Sequence, residues 1–530
     1  MRVLDSETRR AVQQVIDTHL EELRAVPGFV GAEPGFPLIN GRILRRAAIV
    51  VFVTHKRAPS HLLPEERMPR QLGPYRVAVM QADPQRQLEA DKSNQDFVAA
   101  LDVAASQLVY RHIPGDPIDQ VFKVEKPFLC HVGPDAGWPV LKPFIEATRT
   151  TLSVAMYDFN ADYIATTFIE TVRGNKLKAV LTWDDSMTAP ETVIRGKLKE
   201  KLAGRLDGAI VQCGAGRRFA SAYHEKVAVR DSSAFWLSSG NWSLRSQPEI
   251  DPIGDPASAK GMYSRGNREW HVIVEDEALA RVFEQYIKYD LGNSKEELDG
   301  AAALDQPAAL RMPDLFVARL EAADDAPAAL APPEPVAPKI LPSSARAVRV
   351  RPLLTPDNYI DRVVALLKRA RRSIYLQYAY INYSDKPNDR RFTAMLGLLA
   401  DLSNKPGIDL RIIVGSNGAA DKIRLLVQAG FRETAFRTQG NIHNKGIIVD
   451  GKVVLVSSAN WSADGVLRNR DAGLIIEDRD IAAYYEAVFL DDWNRRAKSQ
   501  LADDAPVLLA ADGAETPAGM VRMSWREYHS

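Results

Sequence analysis

The apolar positions of residues 5–26 recur with helical spacing. Val12, Val15, Ile16, Leu20 and Leu23 share one face, and charges of both signs fill the other, so the segment predicts a helix packed on its own domain. A Gly/Pro-rich connection, GFVGAEPGFPLING, leads into the apolar run AAIVVFV, which has the length of a buried strand. RMPRQLGPYRVAVMQAD then predicts a turn and a further strand. Residues 1–122 thus form a small α/β accessory domain. His55, His61 and His112 lie in or beside it without a partner motif and are expected to be ordinary histidines. A regulator or protein partner bound there is the expected role.

Beyond it one pattern runs twice. Pro134-Asp135 and Pro356-Asp357 each open a helix (WPVLKPFIEATRT; YIDRVVALLKRARR) that feeds a strand (SVAMYDF; SIYLQYAYI). A second helix, a strand (LKAVLTWDD; IDLRIIVGS), a third helix and a final strand follow in both halves. This alternation predicts α/β repeats with parallel or mixed sheets, at 123–295 and 346–500. The Ala/Pro-rich residues 296–345 between them, including PAALAPPEPVAPKILP, predict an extended linker. Residues 501–530 predict a loosely packed tail in which Trp525 and Tyr528 could dock.

The final strands carry the chemistry. His224-Glu225-Lys226, Asp231 and Ser238-Ser239-Gly240-Asn241-Trp242-Ser243 are matched by His443-Asn444-Lys445, Asp450 and Ser457-Ser458-Ala459-Asn460-Trp461-Ser462. In both copies Lys follows His by 2 residues, Asp by 7 and Asn by 17. On a strand, residues two apart project to one side, so His224 and Lys226 sit together, as do His443 and Lys445. A histidine beside a permanent cation suits an anionic, oxygen-rich substrate, and Ser and Asn add neutral donors for non-bridging phosphate oxygens. Two histidines allow one to attack phosphorus and the other to shuttle protons. Lysine beside histidine opposes a cation, and no Cys/Asp/Glu ligand cluster is evident, so neither a metal nor another cofactor is expected. Asn267-Arg268-Glu269 and Asn469-Arg470-Asp471 repeat further on, each followed by an apolar strand and an aromatic-rich helix.

Over residues 127–497 the chain resembles the phospholipase D superfamily, whose signature is HxKxxxxD followed by G/S-S-x-N. The resemblance implies two α/β/α sandwich repeats about a pseudo-two-fold axis, with one active site between them in a monomer. It assigns His224, Lys226, Asn241, His443, Lys445 and Asn460 to catalysis, with Ser239 and Ser458 supporting the phosphate. His224 is implied as the nucleophile that becomes a phosphohistidine, and His443 as the acid/base. Glu269 and Asp471 are implied to orient a histidine by hydrogen bond, and Asp231 and Asp450 to be structural. The family commonly has Gly where Ser238 and Ser457 stand, a departure touching backbone freedom. Trp242, Trp461 and His271 are expected to be packing residues.

Composition narrows the substrate only slightly. The 530 residues carry 68 basic and 68 acidic side chains, so no global basic surface marks a nucleic-acid binder. Only Cys130 and Cys213 occur, which excludes a disulfide framework, and both are expected to be buried thiols. The N-terminus lacks a signal-like apolar core and no run of 18 apolar residues exists, which predicts a cytoplasmic protein without a transmembrane segment. Three functions stay open: a phospholipase D-type hydrolase of a phospholipid head group, a nuclease, and a catalytically silent binding module. A nuclease would line a phosphate-tracking groove with Arg217, Arg218, Arg265, Arg268, Arg468 and Arg470, which are otherwise solvated loop charges. Both motifs being intact argues against the silent module. The first copy also carries an extra stretch, SQPEIDPIGDPASAKGMY, expected as a lid or an inert insertion.

Overall fold

The computed structural model describes residues 4–91, 94, 108–115, 117–185, 187–301, 312–318, 334–502, 505–511, 513–525 and 528. Two eight-stranded mixed sheets dominate, and their strand orders correspond. The first runs Leu206–Val211, Lys178–Asp184, Thr151–Met156, Lys226–Arg230, Ala234–Ser238, Glu269–Val274, Phe128–Gly133 and Lys339–Leu341. The second runs Phe436–Gln439, Asp409–Gly415, Ser373–Tyr378, Lys445–Val449, Val453–Ser457, Ala472–Glu477, Val348–Leu354 and Phe122–Val124. The first three strands of each are parallel and joined through helices, as parallel pairing requires. The two strands that begin at the motif lysines are central and antiparallel to both neighbours.

Each motif strand returns through a tight hairpin. Asp231 (φ 52°) and Asp450 (φ 56°) occupy the left-handed region there, which aspartate tolerates better than most residues. Asp231 accepts the backbone N–H groups of Arg149, Thr150 and Thr151, and Asp450 those of Arg371, Arg372 and Ser373. Burial pushes both carboxyls up, but these N–H donors outweigh it and hold them below the usual range.

The edge strands are exchanged between the halves. Lys339–Leu341, from the Ala/Pro-rich segment, pairs with Phe128–Gly133, while Phe122–Val124 pairs with Val348–Leu354. Leu315–Ala318 pairs with Val507–Leu509 and Met520–Met523 of the tail. The expected linker and tail therefore contain short strands, and the helix Glu277–Ala301 runs past the expected repeat boundary. Ladder bonds come from backbone groups, which composition does not register, and an edge strand such as Lys339–Leu341 tolerates flanking prolines.

The sheets share one core. Cys130, Val229, Phe235, Trp270 and Tyr286 of the first half cluster with Val350, Ile448, Val454, Leu474, Tyr485 and Phe489 of the second. The N-terminal sheet explains the apolar run near 50. Ile49, Val51 and Val53 face Val12, Ile16 and Leu23, while Val50 and Phe52 join the core of the second repeat. Both faces of that strand are buried, so alternation disappears. The expected single helix is two, Ser6–Thr18 and Leu20–Arg24, broken at His19. Cys130 is buried as expected, but Cys213 is only half-buried, because it lies at the edge of the cleft described next.

Candidate active site

The two motif histidines open onto one cleft of about 2640 Å³, whose lining also includes Tyr157, Asn460 and Asp471. Lys226, Asn241, Glu269, Lys445, Ser239 and Ser458 lie fully buried in the motif cores. Each histidine is held by the acid of the other repeat. His224 Nδ1 lies 2.7 Å from Asp471 Oδ1, and His443 Nδ1 lies 2.8 Å from Glu269 Oε1. Nδ1 being engaged leaves Nε2 as the working nitrogen of each ring.

Backbone bonds fix this crossing. The His224 N–H donates to Arg470 O at 2.7 Å and the His443 N–H to Arg268 O at 3.2 Å. The Arg470 N–H returns to Ala222 O, and the Arg268 N–H to Asn441 O. Each acid therefore follows a residue already bridged to the strand of its histidine.

The arginines in these bridges are interior. Arg470 pairs with Asp357 of its own half and bidentately with Asp290, on the closing helix of the other half. Arg268 pairs with Asp135 of its own half and with Asp492 of the other half. Arg218 is also buried, against Asp290, and Arg468 pairs with Asp389 and Asp464. Of the six arginines considered for a nucleic-acid groove, these four are therefore committed to carboxylates. A buried guanidinium requires such partners, which a one-dimensional count of charges does not reveal.

The lysine ammoniums are tied to their own motifs: Lys226 Nζ donates to His224 O at 2.8 Å, and Lys445 Nζ to His443 O at 2.6 Å. Lys226 also lies 4.7 Å from the centre of the Tyr157 ring, which meets the His224 ring edge-on at 4.4 Å. Burial shifts the titrating groups strongly. It raises Glu269 to about 8 and Asp471 to about 7, against the pull of the lysines. It lowers Lys445 to about 7, and it holds His443 well below the usual histidine range, with Lys445 and Lys226 adding to the effect. Burial thus disfavours charge on both partners of the Glu269–His443 pair.

The Ser in place of the family glycine caps a turn. Ser238 Oγ accepts the Gly240 N–H at 2.7 Å, and Ser457 Oγ accepts the Ala459 N–H at 3.0 Å. Ser458 Oγ donates to Asp471 Oδ1 at 2.7 Å. Trp242 packs against Phe159 and Phe168, Trp461 against Tyr378, and His271 stacks on His131. The insertion in the first copy does not form a lid: none of residues 246–263 lines the cleft, and Tyr263 bonds Asp135 beside the buried Arg268 instead. Sequence reasoning missed the N-terminal and tail walls of the cleft, among them Arg9, Arg86 and Arg522, while Trp525 and Tyr528 of the tail dock there. Among the described residues one group has the spacing to hold a cation, Asp184, Asp185 and Cys213; Asp184 already accepts the Tyr223 N–H and Asp185 the Cys213 N–H.

The family model described as cardiolipin synthase, PLD-like domain, matches residues 363–493. A mitochondrial cardiolipin hydrolase of Xenopus tropicalis is 30% identical over 145 residues, 27% of this chain and 64% of that protein. A phospholipase D of Rickettsia felis is 30% identical over 156 residues, 28% of this chain and 71% of that protein. The chain thus spans less than two thirds of the first relative and somewhat more of the second. A phosphatidylserine synthase structure from Haemophilus influenzae superposes with a TM-score of 0.46 at 13% identity, over 71% of this chain and 90% of that one. The chain belongs to the phospholipase D superfamily.

Proposed function

We propose that the protein is a metal-independent phosphodiesterase that cleaves a phospholipid head group through a covalent phosphohistidine. The two repeats are related by a pseudo-two-fold axis and build one active site in one chain. The observation that carries this reading is that both histidines, each held by the acid of the other repeat, open onto the same cleft.

In the first step His224 Nε2 attacks phosphorus. The P–N bond forms as the P–O bond to the leaving alcohol breaks, and His443 Nε2–H supplies the proton that alcohol needs. In the second, His443 takes a proton from water, the resulting hydroxide attacks phosphorus, and the P–N bond breaks to release His224. Lys226, Lys445, Asn241 and Asn460 stabilise the charge on the non-bridging oxygens, in a buried setting where such interactions are strong.

A lipid substrate is supported by two of the relatives, a cardiolipin hydrolase and a phospholipase D. It is supported also by Arg218, Arg268 and Arg470, which face carboxylates inside the protein, whereas Arg217 and Arg468 line the cleft. The N-terminal domain, whose sheet packs on the second repeat, is the proposed seat of any regulatory partner. Turnover on phosphatidylcholine and cardiolipin vesicles, set beside single- and double-stranded DNA and RNA with chelator present, tests the reading. Release of lipid products alone is expected; release of nucleotides alone would replace the lipase by a nuclease.

A further inference from the structure

The two acids that hold the histidines differ in length, and so do the residues beneath them. The first copy has Gly240 and Glu269, the second Ala459 and Asp471, at matching positions. A Cβ built on Gly240 would lie 1.6 Å from Glu269 Oε2, 2.1 Å from its Cδ and 2.5 Å from its Oε1. Such overlap is impossible without moving a carboxylate that is 0% exposed and bonded to His443. Backbone strain is not the reason for this glycine, since it lacks the positive φ that marks the turn glycines. In the second copy the acid is one methylene shorter, and Ala459 carries its Cβ in the corresponding place. There the Ser458 hydroxyl donates to Asp471 Oδ1, the same oxygen that meets His224. In the first copy Ser239 Oγ accepts the Trp270 N–H at 3.0 Å and reaches Trp270 O, and the space over residue 240 is filled by the longer acid.

We propose that Gly240 is a positioning residue: by lacking a side chain it lets the Glu269 carboxylate reach His443 across the repeat boundary, and Gly240–Glu269 and Ala459–Asp471 are two matched settings of one joint. The catalytic consequence rests on the phosphodiesterase reading above; the pairing itself does not. Gly240 touches no substrate. It acts through Glu269, and Glu269 acts through the His443 ring.

The test uses the full chain with Gly240→Ala, Glu269→Asp and the double variant. Two readouts are taken: kcat and KM on lipid vesicles, and the downfield imidazole proton of His443 in one-dimensional proton NMR, assigned by its loss in His443→Gln. Gly240→Ala is expected to lose the downfield proton and about 10²-fold in kcat, with KM little changed, because a displacement of about 1 Å at a positioned group has that effect. Glu269→Asp leaves the acid short of His443 and also loses activity. The double variant, which copies the second repeat, is expected to exceed both single variants in kcat and to regain the downfield proton. Gly240→Ala with undiminished kcat and an intact proton signal overturns the proposal. So does a double variant that fails to fold or is no more active than Glu269→Asp. A wild-type protein that turns over no phosphodiester would refute the proposed function, while the proton signal, read without substrate, would still decide the pairing.

Discussion

His224 and His443 carry the account at the scale of single residues, and their acids give it a sign. His224→Ala is expected to abolish turnover with the fold intact, by circular dichroism and melting temperature. Glu269→Gln and Asp471→Asn are expected to lower kcat by about 10²–10⁴-fold, the range for a misdirected acid/base group. Burial raises the Glu269 carboxyl from 4.5 to about 8. A carboxyl raised in the folded state contributes its full stability below the unfolded value and loses it as pH rises through the folded one. The melting temperature of the wild type minus that of Glu269→Gln is therefore expected to be largest below pH 4.5 and to shrink as pH rises through about 8. Both histidines and both lysines were legible in the sequence as equal spacings, and both acids as the repeated Asn-Arg-acid triplet. Which acid serves which ring was not. The bonds join residues 247 and 174 positions apart in opposite halves, and only the shared core brings them together. The lysine shift was equally hidden, since spacing places Lys445 beside His443 but says nothing of how deeply it is buried.

Among elements, the repeated helix–strand order was readable from period changes, and the hairpin aspartates from their offset. Asp231→Ala and Asp450→Ala are each expected to cost about 2 kcal/mol of stability, since a charged acceptor of several N–H groups is lost, with kcat of the remaining folded protein unchanged. Denaturant melts beside steady-state kinetics check this. The buried arginines behave differently. Arg470→Ala takes the guanidinium from Asp357 and leaves Asp290 with Arg218 alone, and is expected to cost about 3–5 kcal/mol, with a fall in kcat through the neighbouring Asp471. Arg470→Lys keeps the charge but not the bidentate pair and is expected to lie between. Edge strands from the Ala/Pro-rich segment and the tail escaped the sequence reading because they are short and flanked by proline or charge. Their pairing partners lie in segments that composition alone marks as linkers.

As a whole molecule, the protein is two similar sheets locked through one core, with an N-terminal sheet whose inner face completes the second repeat. No described helix is long and apolar enough to cross a membrane. The neutral total charge left the substrate open, and a count could not show that Arg218, Arg268 and Arg470 pair with carboxylates in the interior. If lysine rather than a metal stabilises the charge, as proposed, turnover is expected to survive a chelator undiminished. The central claim is that one phosphorus passes through a bond to His224 while His443 handles protons. The most direct measurement is rapid acid quench or denaturing isolation of His443→Gln after exposure to phosphorus-labelled phospholipid, followed by peptide mapping. Label retained on the peptide carrying His224, and lost in His224→Ala, is the expected result. Hydrolysis by the wild type, with no labelled histidine in either variant and activity surviving His224→Ala, would contradict it.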